Sequence, residues 1–91
     1  MNRIIDTTSS GKTKKLMLVA NEHPNSIFVC SNPAAMREKA YAYGIVGINF
    51  VSYNDFLNMP ELIDSICFID EIEEFIKYQY KNLQGYTLSL E

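Results

Sequence analysis

Ile27-Phe28-Val29-Cys30 is a run of four apolar residues with no polar alternation, and it narrows the fold more than any other segment. A strand wetted on one face alternates apolar and polar side chains, so a strand without alternation has to be covered on both faces. Ile66-Cys67-Phe68-Ile69 has the same character. Two such strands predict a sheet held between helices, and helical patterns stand in the right places. Residues 3–5 read as a first short strand, followed by a polar loop and a helix carrying Leu16, Val19 and Ala20 on the same face as Thr13. Pro24-Asn25 breaks that helix before the strand at 27–30. Ser31 or Asn32 then caps a helix over 34–43, with Pro33 in its first turn and Gly44 as its left-handed stop. A strand at 48–52 follows, then a short helical turn over 55–57, capped by Ser52 or Asn54 and limited by Pro60. After the strand at 66–69, Ile72, Phe75, Ile76 and Leu83 mark the inner stripe of a helix closing near Gly85, and the alternation in Tyr86-Thr87-Leu88-Ser89-Leu90 predicts a last strand. The alternation of elements implies βαβ units with right-handed crossovers. The fold class is therefore α/β, a three-layer α/β/α arrangement around a mainly parallel sheet of five strands, at residues 3–5, 27–30, 48–52, 66–69 and 86–90.

Composition sets limits on function. Ninety-one residues form a single domain over 1–91, and a chain of this size buries roughly 65% of its unfolded surface, enough for a core without staples. The net charge of −3 argues against binding nucleic acid through bulk charge. The longest apolar run, Leu16-Met17-Leu18-Val19-Ala20, falls far short of the roughly 18 residues a membrane span requires. Cys30 and Cys67 each sit inside an apolar run, the usual place of a buried free thiol, so the expected compartment is reducing and cytoplasmic. His23 has no companion at metal-ligand spacing and reads as a surface residue, and Phe28, Phe50, Phe68 and Phe75 fall at core positions.

The segment Asp6-Thr7-Thr8-Ser9-Ser10-Gly11-Lys12-Thr13 joins the first strand to the first helix. In that setting backbone N–H groups from Ser9 to Thr13 can curl about a phosphate, Lys12 can reach its oxygens and the Thr13 hydroxyl can serve Mg²⁺. Lys12, Lys14 and Lys15 crowd the first helical turn, where the macrodipole disfavours cations unless an anion is bound. The same residues also read as a solvated Ser/Thr-rich cap followed by a basic stripe. The segment resembles the Walker A motif of P-loop NTPases. That resemblance implies that Ser9, Ser10, Gly11, Lys12 and Thr13 bind a nucleoside triphosphate, ATP or GTP, with Mg²⁺ on Thr13. The family has Gly or Ala at the first motif position, where this chain has Asp6, and often Gly where it has Ser9. The Asp6 carboxylate either repels a triphosphate or points outward and caps the turn.

About sixty residues further on, the strand at 66–69 ends in Asp70-Glu71. Two readings compete: Asp70 caps the next helix with Glu71, Glu73 and Glu74 in its acidic first turn, or both carboxylates face the crevice at the sheet's C-terminal edge. The pattern resembles Walker B, and the order of elements is similar to the minimal helicase-like P-loop domains and to small standalone P-loop proteins of bacteriophages. The resemblance implies that Asp70 holds Mg²⁺, that Glu71 is catalytic by polarising the attacking water, and that one strand, here 86–90, lies between those bearing the two motifs. It also implies a place in a bacterial host cell, if the chain is of phage origin. The only arginines are Arg3 and Arg37 and no second lobe supplies another, so hydrolysis is expected to be weak. The expected role is nucleotide binding within a larger nucleic-acid-processing assembly, with a protein partner or a second copy. The competing expectation is a nucleotide-free relic of the fold that acts as a protein-binding regulator.

Overall fold

The computed structural model describes residues 3–5, 11–62 and 64–89. Within them the order is α1 (Lys12–Asn21), β1 (Ile27–Cys30), α2 (Pro33–Ala42), β2 (Asn49–Ser52), α3 (Tyr53–Asn58), a 3-10 turn (Pro60–Leu62), β3 (Cys67–Ile69) and α4 (Ile72–Gln79). The fold is α/β with a parallel sheet in the order β2-β1-β3. The register pairs Phe28 with both Phe50 and Phe68, and Val29 with both Val51 and Ile69. Among the described residues no helix is long and apolar enough to cross a membrane.

The unalternating strand behaves as its sequence demands: Ile27, Phe28, Val29 and Cys30 are all buried. Successive side chains point to opposite faces, and two separate clusters form. Phe28, Cys30 and Phe50 pack with Met17 and Ala20 of α1 and with Met36, Ala40 and Ile45, while Phe68 adds to the edge of this group. On the other face Ile27 and Val29 pack with Tyr53 of α3 and Phe75 of α4, joined by Val51, Phe56 and Ile69. Helices on both faces follow from the strand order, because the crossovers β1 to β2 and β2 to β3 travel in opposite directions and right-handed crossovers then lie on opposite sides. The four phenylalanines 28, 50, 68 and 75 all belong to these clusters.

Local signals set the helix ends. Asn32 caps α2 by accepting the Ala35 N–H at 3.2 Å, and Pro33 opens the helix. Gly44 at φ 74° ends it. Ser52 caps α3 by accepting the Asp55 N–H at 3.0 Å, and Pro60 stops it.

Several expectations are corrected. Residues 3–5 and 86–89 are not strands, and Leu90 lies outside the described residues, so the described sheet has three strands where five were expected. Neither segment has a ladder partner among the described residues, and an unpaired run does not offset its ordering entropy. The segment at 86 lies beside α4 instead, where Tyr86 shares a hollow with Glu73, Ile76 and Lys77. The last helix ends at Gln79, well before Gly85. On α1 the buried position is Met17, at 0% exposure, beside Ala20; Met17 follows Thr13 by four residues and shares its face. Cys30 is buried as expected, but Cys67 at the start of the edge strand β3 is exposed.

Candidate functional site

The site forms where β1 and β3 end. The last rung between them is the bond from the Asp70 N–H to the Val29 carbonyl at 2.9 Å, so the residue after β3 is pinned as the chain leaves the sheet. Its side chain is 8% exposed and meets α1. The Thr13 hydroxyl donates to Asp70 Oδ1 at 3.1 Å, joining positions 57 apart in sequence. One residue along on each side, Lys12 Nζ lies 2.6 Å from Glu71 Oε1, with the lysine side chain 17% exposed and the glutamate 42%. The two sequence motifs thus face each other across the C-terminal edge of the sheet, where open α/β sheets bind ligands.

Asp70 does not cap the following helix. The cap of α4 is Glu71, which makes no side-chain cap bond and sits in the left-handed region at φ 58°, ψ 68°. Burial raises the Asp70 carboxyl above its ordinary value, with the Glu71 charge adding to the shift and the Thr13 hydroxyl, Lys12 and Lys39 opposing it. A buried carboxylate disfavoured in this way gains from a cation placed beside it.

Gly11 precedes α1 at φ 79°, ψ 22° and has no side chain to cap it. A Cβ there would meet nothing within 4 Å, so the requirement for glycine is conformational. Ser9 and Ser10, the remaining candidates for phosphate contact, and Asp6 lie outside the described residues. Lys14 is turned away from the pair of motifs, its ammonium 5.2 Å from the centre of the Tyr43 ring. His23 is exposed and stacks obliquely near Phe68 at 5.5 Å.

Among the described residues no group of three or more His, Cys, Asp or Glu is placed to hold a metal. Mg²⁺ does not need such a cage: it keeps several waters and binds through one or two protein oxygens together with phosphates. A hydroxyl and a carboxylate already in contact, Thr13 and Asp70, are hard oxygen donors that fit this requirement.

Sequence reasoning passed over Tyr53. It is 6% exposed, and its hydroxyl donates to the Asp70 carbonyl at 3.0 Å and the Glu71 carbonyl at 3.4 Å. The available signal was its position directly after the strand ending in Ser52, which puts it at the same edge as the acidic pair. Beside it a shallow hollow of about 480 Å³ is lined by Ser31, Ser52, Asn54, Glu74, Lys77 and Tyr78. The chain matches no protein-family model, no curated protein and no solved structure.

Proposed function

We propose that this chain binds a nucleoside triphosphate as a P-loop domain, with Lys12 and Thr13 at the phosphates and Asp70 and Glu71 opposite them. The observation that carries the reading is the double contact Thr13–Asp70 and Lys12–Glu71 at one sheet edge. Chance pairing of helix-capping residues does not require two adjacent basic and hydroxylic residues to meet two adjacent carboxylates in register.

The geometry suggests an exchange of partners. Lys12 is neutralised by Glu71. A phosphate at the start of α1 would compete for the Lys12 ammonium, because phosphate oxygens carry more charge and the helix N-terminus adds its own field. Glu71, released from Lys12, would then be free to orient a water and take its proton. Mg²⁺ bound between Thr13, Asp70 and the phosphates would neutralise charge on the transferred group. Turnover by the isolated chain is slow in this reading, since the only arginines are Arg3 and Arg37 and neither belongs to either motif, and it serves a larger nucleic-acid-processing assembly through a protein partner or a second copy.

Thermal unfolding with and without Mg·ATP or Mg·GTP tests the proposal. A ligand at 100 times its dissociation constant adds about 2.7 kcal/mol of stability. No shift at millimolar nucleotide refutes it and leaves the nucleotide-free regulator as the reading to pursue.

A further inference from the structure

We infer that Tyr53 is a positioning residue for Glu71, its hydroxyl clamping the left-handed turn that aims the Glu71 carboxylate at Lys12. The inference deepens the role given to Glu71 above and rests on it. Ser52 caps α3, so Tyr53 is its first residue and its ring lies across the sheet face under α4. The ring is held edge-on by Phe75 at 5.2 Å and tilted against Tyr78 at 5.9 Å. A buried phenol needs a partner, and here the partners are two backbone carbonyls on either side of one residue.

That placement fixes a conformation. The φ and ψ of residue 71 describe how the peptide plane ending in the Asp70 carbonyl is turned against the plane carrying the Glu71 carbonyl. The single hydroxyl proton, donated to the Asp70 carbonyl at 3.0 Å and shared with the Glu71 carbonyl at 3.4 Å, ties the two planes together. The Glu71 carbonyl also accepts the Phe75 N–H at 3.1 Å, which fixes it to α4. Residues with a Cβ rarely adopt φ 58° unless their surroundings impose it. With residue 71 allowed to relax, the carboxylate swings off the line to Lys12.

Tyr53→Phe keeps the ring and removes only the clamp. In nuclear magnetic resonance spectra of the full chain, the backbone carbon shifts and amide coupling of Glu71 are expected to leave the left-handed range while those of Phe28 and Met36 stay put. Left-handed values retained at Glu71 overturn the inference, whether or not nucleotide binds. Turnover of Mg·ATP is expected to fall about tenfold, the worth of one well-placed hydrogen bond, with nucleotide affinity within about twofold of wild type. If Tyr53→Phe lowers the melting temperature too far for assignment, Tyr53→Phe/Glu71→Gly serves instead. Glycine holds the turn unaided, so its melting temperature is expected above that of Tyr53→Phe, and no recovery counts against the clamp. Absence of any nucleotide-induced shift in wild type sinks the P-loop reading alone.

Discussion

Replacing Lys12 with methionine separates the two things this lysine does. In the free protein its visible partner is Glu71 at 2.6 Å, and the glutamate is 42% exposed. Pairs open to solvent in this way contribute about 0.2–1 kcal/mol, and methionine keeps most of the aliphatic stem. For a domain of this length 1 kcal/mol moves the melting temperature by about 4–8 °C, so loss of this ion pair alone lowers the melting temperature of the free variant by no more than about 8 °C. The effect on ligand response is larger. Wild type at 100 times its dissociation constant gains about 2.7 kcal/mol, or about 11–22 °C at the same conversion, and Lys12→Met loses this gain if Lys12 is the phosphate-binding cation. Differential scanning fluorimetry at matched protein concentration, with Mg·ATP, Mg·GTP and Mg²⁺ alone, reads both quantities in one plate. A variant that keeps the full nucleotide shift refutes the placement of phosphate at α1. A free variant that falls by much more than 8 °C shows instead that the lysine is a structural element of the edge.

The same geometry carries three further expected outcomes. Gly11→Ala meets open space but forces a side chain to φ 79°, so it costs about 1–2 kcal/mol of stability in chemical denaturation; an unchanged midpoint places Gly11 in another conformation. Asp70 has its carboxyl raised by burial above the ordinary 3.8, so the folded form holds the proton more tightly than the unfolded one. The stability this contributes is complete below that ordinary value and is lost as pH rises through the raised one. Asp70→Asn therefore becomes more stable than wild type towards neutral pH in melting curves taken from about pH 3 to pH 7, while losing the Mg²⁺ dependence of nucleotide binding. Glu71→Gln retains the nucleotide shift and loses turnover of a verified wild-type activity, and an unaltered rate removes Glu71 from the chemistry.

The legible part of the fold was its buried centre. An apolar run such as 27–30 has one physical solution, coverage on both faces, and all four of its residues are buried. Asn32, Pro33, Ser52 and Pro60 act within a few residues of themselves and gave helix ends correctly. The strands expected at 3–5 and 86–90 are absent over 3–5 and 86–89 because a strand is decided by what pairs with it, and the alternation at 86–89 fits a solvated segment beside α4 equally well. Cys67 failed for the same reason: an apolar neighbourhood in sequence does not cover the outer end of an edge strand. At the site, residue types and order were readable from the resemblance, while the direct contacts Thr13–Asp70 and Lys12–Glu71 were not, because they join side chains distant in sequence. Tyr53 was not, because what it holds is backbone carbonyls distant in sequence, and no motif announces a contact with a carbonyl.

The site and the stability of the sheet share their last rung. The Asp70 N–H bonds the Val29 carbonyl, and Val29 is fully buried between the layers, so the start of the acidic pair cannot drift without unzipping β1 from β3. Beyond that rung the chain is the opposite of a stable arrangement: a buried carboxylate with a raised proton affinity and a non-glycine residue in a left-handed turn. A non-glycine residue held in such a turn typically costs about 1–3 kcal/mol, a substantial share of the roughly 5–15 kcal/mol a small domain has in total. A chain selected for folding alone would relax both, with asparagine at 70 and glycine at 71. Under the proposed reading, their presence at the end of a rigid rung, opposite a lysine and a threonine on a helix start, holds groups in place that would be relieved when a cation and an anion arrive together.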